Sequence, residues 1–236
     1  MPSLAERLPQ GRVVIDVSLW SADLGALTAE IERLTPYADL FHLDASDTQF
    51  VPDPLFFPDM LAALRPATTV PFHVHLMAQR ATVLAHRFAA AGADLITVHA
   101  EADDTADAIT AIGELGKAAG VAVRLDTNPE AAMPYLDDIE AVAMIGTPLG
   151  TKGSSMDPGA PDRIRALRNV LVGRPDLVVF ADGGIRCDTV PALVAAGTRA
   201  VVVGSLLLAS SNLAATARWL HQLSGAAGVM VAGASP

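Results

Sequence analysis

Four side chains that suit a divalent metal ion stand near the ends of short apolar segments of the chain. His42 and Asp44 are two residues apart, His75 lies near the end of a second apolar segment, and Asp182 directly precedes two glycines. Residues two apart in a β-strand point to the same face, so His42 and Asp44 are expected to point the same way. Imidazole nitrogens together with carboxylate oxygens can bind a divalent transition metal. The spacing therefore predicts a metal site assembled from separate strands.

The elements that must position these side chains alternate between two types. Eight short segments rich in apolar and β-branched residues are predicted to be strands: 12–18, 40–44, 71–76, 94–99, 121–126, 141–145, 177–181 and 200–204. Longer alanine- and leucine-rich stretches with helical spacing lie between them, as in 22–34 and 81–91. Near-continuous apolar strands that alternate with helices are typical of parallel sheets covered by helices. Eight such units predict an α/β protein with a closed (β/α)8 TIM barrel.

The barrel prediction also places the chemistry, because active groups of such barrels lie at the C-terminal ends of the strands. An open doubly wound sheet is the alternative. Its ligand would sit at one switch point, whereas candidate groups here follow nearly every predicted strand. Three glycines after helical stretches, Gly92, Gly120 and Gly197, are predicted to end helices in the left-handed conformation.

The chain has no interior linker or low-complexity break that would divide it. We therefore expect one barrel domain across residues 1–236, which is an ordinary length for this fold. The last residues, 225–236, are small and uncharged, and we expect them to form a disordered tail.

Composition limits the kinds of partner. Of the 236 residues, 51% are hydrophobic, and the formal net charge of −10 argues against nucleic acid and anionic membranes as partners. A single cysteine, Cys187, excludes an intramolecular disulfide and suits the cytoplasm. The N-terminus lacks the pattern of a signal peptide, and the apolar runs are too short for a transmembrane helix. We expect a cytoplasmic protein with a small-molecule ligand.

Several short motifs occur in an order that resembles one known family. Each motif alone is weak, but together they span residues 13–223, and the sequence is similar to the ribulose-phosphate 3-epimerases. The motifs are Ser18-Leu19-Trp20-Ser21-Ala22-Asp23, His42-Leu43-Asp44-Ala45-Ser46-Asp47, Val74-His75-Leu76-Met77, Asn128-Pro129, Asp182-Gly183-Gly184 and Gly204-Ser205.

The resemblance implies a metal-dependent epimerase. It implies that His42, Asp44, His75 and Asp182 hold one divalent ion, which this ligand set would accept as zinc, iron, manganese or cobalt. It also assigns Asp44 and Asp182 as the acid and base that move a proton at C3 of a ketose phosphate through an enediolate. The leading substrate is D-ribulose 5-phosphate, converted to D-xylulose 5-phosphate. The family further implies a homo-oligomer.

The remaining expected site residues contact the substrate. Ser18 is expected to donate to a substrate oxygen beside His75, and Met77 and Met144 are expected to cover the reacting carbons and limit the access of water. The phosphate is expected on the loops after the last two strands, where glycine lets a ligand approach backbone amides closely. Those residues are Gly183, Gly184, Gly204 and Ser205.

The sequence departs from the family pattern in three features: one residue, one loop and one pair of residues. Ser46 stands where the family usually has methionine, and loop 146–153 lacks the usual glycine pair. In that loop Lys152 is either a solvated residue or a charged replacement for lost amide donors. The third departure is paired: His73 stands where an aspartate is usual, and Asp16 appears two residues before Ser18. Because alternate barrel strands contribute to the same interior layer, we predict that Asp16 and His73 pair beneath the metal.

The departures leave other functions open. The same chemistry could act on another ketose phosphate, such as a hexulose or tetrulose phosphate. A decarboxylase or aldol-type lyase on the same barrel is disfavoured, since the segment Asp44-Ala45-Ser46-Asp47 lacks the lysine of an Asp-x-Lys-x-x-Asp motif. A non-catalytic sugar-phosphate-binding barrel is disfavoured by the retention of all four expected metal ligands. His99, at the end of the fourth strand, is expected to be a structural residue at the barrel rim.

Overall fold

The computed structural model describes residues 2–223, in which eight parallel strands close into a barrel in chain order. Each strand pairs in parallel with its neighbours in the sequence, and the first strand pairs with the last. The strands are β1 Val14–Ser18, β2 Leu40–Ser46, β3 Phe72–Met77, β4 Leu95–His99, β5 Ala118–Val123, β6 Ala141–Ile145, β7 Val178–Asp182 and β8 Ala200–Val203. The predicted (β/α)8 barrel is confirmed. The expected tail, 225–236, lies outside the described residues.

Helices cover the outside of the barrel. The α-helices are α1 Leu4–Arg7, α2 Leu27–Leu34, α3 Pro58–Leu64, α4 Thr82–Ala91, α5 Thr105–Glu114, α6 Ala160–Val170, α7 Val190–Ala195, α8 Ser205–Leu208 and α9 Leu213–Gln222. Short 3-10 helices span Leu19–Ser21, Thr35–Tyr37, Arg65–Ala67 and Pro129–Tyr135. Across residues 2–223, we find no helix with the length and apolar character needed to cross a membrane.

Alternation along each strand separates two apolar layers. In β1, Ile15 and Val17 face outward and join the large core between the strands and the helices. Val14, on the opposite face, belongs to a second cluster inside the barrel. Leu4 of α1 and Leu8 just after it pack against this second cluster and close the bottom of the barrel. The interior therefore has an apolar floor, on which the polar side chains near the strand ends rest.

The predicted fifth strand, 121–126, is displaced by three residues at both ends, and a glycine explains the error at its start. The fifth strand begins at Ala118, three residues before the predicted start, and Gly120 lies inside it instead of ending a helix. A Cβ atom at Gly120 would lie 2.6 Å from Thr97 Oγ1 on β4, so the barrel wall has no room for a side chain there. The prediction that Gly92 and Gly197 end helices in the left-handed conformation is confirmed, since both adopt a positive φ after a helix.

Candidate metal centre and active site

The four predicted metal ligands converge at the upper end of the barrel interior. His42 Nε2 lies 3.3 Å from Asp44 Oδ1 and 3.7 Å from Asp182 Oδ2. His75 Nδ1 lies 3.2 Å from the same Asp44 oxygen and 3.4 Å from the same Asp182 oxygen. Two nitrogens and two oxygens thus alternate around a closed ring, and all four ligand atoms lie within 4.8 Å of one another.

These spacings fit a small divalent cation. A tetrahedral ion with nitrogen and oxygen ligands at about 2.0–2.2 Å has ligand-to-ligand edges of roughly 3.3–3.6 Å. The four nitrogen–oxygen edges here run from 3.2 to 3.7 Å. The donor set, two imidazoles and two carboxylates, also matches zinc, iron, manganese and cobalt. The residues present therefore fit the metal that the sequence predicted.

Hydrogen bonds to the outer nitrogens of His42 and His75 determine which nitrogen of each ring carries the lone pair toward the four ligand atoms. His42 Nδ1 lies 3.1 Å from Asp16 Oδ2, so this nitrogen donates and Nε2 carries the lone pair. Behind the other ligand, His99 donates from Nδ1 to Glu101 Oε2 at 3.1 Å, which leaves His99 Nε2 to accept from His75 Nε2 at 2.8 Å. His75 Nδ1 then carries a lone pair. In these tautomers both lone pairs point at the ring of ligand atoms.

His99 is a site residue that the sequence reasoning missed. It is fully buried, and burial lowers its pKa to about 4, so the ring is neutral near pH 7. Instead of packing at the barrel rim, it connects Glu101 to His75. The pattern His99-Ala100-Glu101 carries the signal, because residues two apart at a strand end face the same way.

Electrostatics differentiate the two carboxylates. Burial alone would raise the pKa of Asp44, but the charge and hydrogen bond of His42, with the hydrogen bond of His75, hold that pKa well below its usual range. For Asp182, burial raises the pKa above its usual value, and the negative charge of Asp44 adds to the increase. Burial lowers the pKa of His42, yet Asp44 and Asp16 raise it well above normal overall, so a cation competes with a proton for Nε2.

A pocket opens above the ring of ligand atoms at the mouth of the barrel. It has about 760 Å³ of empty volume, counting the part open to solvent. Asp44, His75 and Asp182 line it, whereas His42 is buried beneath them with 1% of its surface exposed. Ser18 and Met77, which are expected to contact the substrate, also line the pocket. A ligand in this pocket would therefore lie directly against both carboxylates.

Met144 does not reach this pocket, which corrects its expected role. Its side chain belongs to the core between the barrel and the helices, where it borders a small cavity beside Met156 and Ile164. Ile145, the next residue on β6, points inward and lines the pocket instead. The sequence prediction placed the residue at the correct strand end but on the wrong face of the strand.

The glycines predicted to hold the phosphate also line the pocket, together with Ser205. Gly184 has a φ of +69°, and a Cβ atom there would lie 2.5 Å from the backbone nitrogen of Met156. A Cβ atom at Gly204 would lie 2.3 Å from Ser21 Oγ. Gly184 therefore requires glycine, whereas a side chain at Gly204 would displace that of Ser21. The backbone of both residues borders the pocket beside Gly183.

Two cationic residues belong to the same pocket. Lys152 Nζ donates to the carbonyl oxygen of Trp20 at 2.7 Å, and Arg186 donates to the carbonyl oxygen of Gly153 at 2.9 Å. Both side chains line the pocket. The sequence reasoning left Lys152 open and missed Arg186, because no motif spacing marks an arginine two residues after Gly184. These contacts tie loop 146–157 to the loops after β1 and β7.

Comparison with known proteins gives consistent matches over most of the chain. The profile of the ribulose-phosphate 3 epimerase family matches residues 14–208. Ribulose-phosphate 3-epimerase of Bacillus subtilis is 33% identical over 199 residues, which cover 83% of this chain and 92% of that protein. The ribulose-phosphate 3-epimerase of Treponema pallidum is 35% identical over 191 residues, covering 80% and 88%. The solved structure of 3-keto-L-gulonate-6-phosphate decarboxylase from Vibrio cholerae shares the fold, with a TM-score of 0.66 at 16% identity over 89% and 97% of the two chains.

Proposed function

The chain belongs to the ribulose-phosphate 3-epimerase family, and we propose that it inverts C3 of D-ribulose 5-phosphate to give D-xylulose 5-phosphate. It is an isomerase of pentose phosphates. The observation that carries the finer assignment is the position of Asp44 and Asp182, which lie against one pocket from two strands separated by β1 and β8.

The metal would be held by His42, Asp44, His75 and Asp182, whose ligand atoms have the spacing described above. When bound, a divalent cation supplies positive charge that stabilises the negative oxygens of an enediolate. The two histidines are more deeply buried than the two carboxylates, so Asp44 and Asp182 are the two ligands most exposed to the pocket.

Proton transfer is assigned to the carboxylates. One of Asp44 and Asp182 removes the proton from C3, and the electron pair of the broken C–H bond moves toward the neighbouring carbonyl to form the enediolate. The other carboxylic acid delivers its proton to the opposite face of C3. The two residues thereby exchange protonation states during one inversion, and the reverse reaction uses them in the opposite order.

Side chains around the carboxylates would position the sugar. Ser18 lies at the end of β1 beside the pocket and would donate to a substrate oxygen. Met77, Ile145 and Val202 supply apolar surface next to the carboxylates, which limits the access of water to the reacting carbon.

The phosphate would bind at the side of the pocket formed by the glycine loops. Gly183, Gly184 and Gly204 allow a phosphate to approach backbone amides closely, and Ser205 lies at the same side. Lys152 and Arg186 would add positive charge. This charge replaces amide donors in a loop where Thr151 and Lys152 occur in place of a glycine pair.

The test is an epimerisation screen with defined metals. Chelator-stripped protein is reloaded with zinc, iron, manganese or cobalt and incubated with pentulose, hexulose and tetrulose phosphates, and inversion at C3 is followed by NMR. We expect the highest kcat/KM for D-ribulose 5-phosphate. A higher value for a hexulose or tetrulose phosphate would change the substrate but keep the chemistry. If the protein bound these sugar phosphates but inverted none of them, the result would favour a non-catalytic sugar-phosphate-binding protein over an epimerase.

A further inference from the structure

A continuous line of buried hydrogen bonds runs beneath the proposed metal centre. Thr97 Oγ1 lies 2.8 Å from His73 Nε2, and His73 Nδ1 lies 2.6 Å from Asp16 Oδ2. The same Asp16 oxygen lies 3.1 Å from His42 Nδ1. At most 1% of the surface of each of these four residues is exposed. Residues of β1, β3 and β4 thus form a hydrogen-bonded chain that ends at His42 on β2.

The donors and acceptors along this line are fixed by chemistry. A carboxylate only accepts, so both nitrogens that face Asp16 Oδ2 must donate. His73 is then left with an acceptor at Nε2, which the hydroxyl of Thr97 satisfies. His42 is left with its Nε2 lone pair facing Asp44 and Asp182.

We propose that Asp16 is the positioning residue for His42, and that His73 and Thr97 hold Asp16 in place. This inference rests on the proposed function, since it concerns the orientation of a metal ligand. The hydrogen bond from Nδ1 selects one tautomer and fixes the rotation of the ring, both of which a ligand histidine needs. Within residues 2–223 the other oxygen, Asp16 Oδ1, is buried and has no hydrogen-bond partner, so the hydrogen bonds to this carboxylate are made at Oδ2.

In this chain the acceptor for His42 Nδ1 is Asp16 on β1, although a residue at position 73 on β3 could also supply an acceptor. His73 Nδ1 lies only 3.3 Å from His42 Nδ1, and His42 and His73 are register partners on β2 and β3. The Nδ1 atom of histidine and the Oδ atoms of aspartate are both bonded to Cγ. An aspartate at position 73 would therefore place an oxygen close to the site of His73 Nδ1, within reach of His42. An Asp16 and His73 pair is thus exchangeable with an apolar residue at 16 and a carboxylate at 73.

The experiment measures metal affinity in variants of the full chain. Wild type, Asp16→Ala and the double variant Asp16→Ala with His73→Asp are stripped of metal and titrated with zinc against a chromophoric chelator. Thr216→Val serves as the matched control, because it removes a partly buried 2.8 Å hydrogen bond to Ser210 on the side of the barrel at α9. Unfolding midpoints of the metal-free proteins report the purely structural effect of each change.

Asp16→Ala should raise the zinc Kd by about 10–100-fold, the usual effect of losing a residue that orients a ligand. The double variant should recover affinity to within a few-fold of wild type, and Thr216→Val should bind zinc as wild type does while being less stable. Wild-type affinity in Asp16→Ala, or a double variant no tighter than Asp16→Ala, overturns the inference but leaves the proposed function standing. Failure of wild type to bind zinc overturns both.

A second measurement does not depend on whether the variants fold. In the zinc-loaded wild type, the nitrogen resonances of the His42 side chain should show a proton on Nδ1 and none on Nε2. A proton on Nε2, or an Nδ1 without one, would contradict the role of Asp16 as acceptor.

Discussion

Asp16 Oδ2 and His73 Nδ1 lie 2.6 Å apart, although their strands, β1 and β3, do not pair with each other. This contact confirms the pairing expected from the sequence. Side chains of alternate strands meet in one layer of the barrel interior, and two unusual residue types at those two positions compensate each other there. Burial alone would raise the pKa of Asp16, but the charges and hydrogen bonds of His73 and His42 lower it, so the carboxylate is ionised.

Removing one member of this pair should destabilise the protein strongly. His73→Leu removes one of the two hydrogen bonds to the buried carboxylate of Asp16 and leaves His42 as its remaining donor, and losing a hydrogen bond to a charged group costs about 1.5–3 kcal/mol of unfolding free energy. The double variant Asp16→Val, His73→Leu should be less destabilised, because no uncompensated charge remains. Urea unfolding of the metal-free proteins measures both values. Equal or greater destabilisation of the double variant would show that the buried charge is not what costs stability.

The ionised carboxylate of Glu101 should stabilise the folded protein near neutral pH, and this contribution should be lost at acidic pH. Burial opposes its ionisation, but hydrogen bonds from His99, Thr127 and the backbone of Arg124 lower its pKa to about 2. A lowered pKa in the folded state stabilises the protein above the ordinary carboxylate pKa, and this contribution is lost as the pH falls toward 2. The difference in unfolding free energy between wild type and Glu101→Gln should be constant above about pH 5 and shrink below it.

The control for this measurement is Glu114→Gln, which changes an exposed carboxylate at the end of α5. Its effect on the unfolding free energy should be small, because the side chain is exposed to solvent. A Glu101→Gln difference that grew on acidification would mean that the interaction with His99 does not favour the charged carboxylate.

Lys152 and Arg186 should act on the phosphate and leave the proton transfer nearly unchanged. Lys152→Ala and Arg186→Ala should each raise KM for D-ribulose 5-phosphate by about tenfold or more, the effect of losing one charge-assisted hydrogen bond. Steady-state kinetics at several salt concentrations measure this effect, and kcat should change much less. Arg165, an exposed arginine on α6, offers the matched control. Loss of kcat at unchanged KM in either variant would contradict phosphate binding by these side chains.

Metal loading should stabilise the folded chain. A ligand present at 1,000 times its Kd raises the unfolding free energy by about 4 kcal/mol when it binds the folded state alone. Zinc added to stripped wild type should therefore raise the unfolding midpoint, and His75→Ala should lose most of this increase. His86→Ala, which changes an exposed histidine on α4, should keep it. An equal increase in His75→Ala would place the stabilising ion elsewhere.

The barrel itself could be predicted from the sequence because its strands are buried on both faces. Such strands appear as continuous apolar runs, and these runs gave the number and order of the strands correctly. The error at the fifth strand arose from Gly120, since a glycine after alanines resembles a helix end and here makes room for Thr97 in the barrel wall. Gly116, which has a φ of +67°, follows the end of α5 instead.

The candidate site could be predicted in part. The spacing of two residues placed His42, Asp44 and Asp16 on the inner face, because their strands follow strict alternation. The prediction for Met144 is wrong because it rests only on the position of this residue near the end of the sixth strand, whereas alternation along β6 turns Ile145 inward and Met144 outward. Arg186 could not be predicted, because its place depends on how the loop after β7 packs against loop 146–157.

The most direct test of the central claim follows hydrogen exchange at C3 in D2O. Asp44→Asn and Asp182→Asn are each incubated with D-ribulose 5-phosphate and with D-xylulose 5-phosphate, and the metal content of each sample is measured. If two carboxylates act on opposite faces, interconversion should fall about 10²–10⁴-fold in both variants. Each variant should still exchange the C3 hydrogen of one epimer, and the two variants should act on different epimers. A metal-loaded variant that interconverts at the wild-type rate, or two variants that exchange the same epimer, would contradict the account.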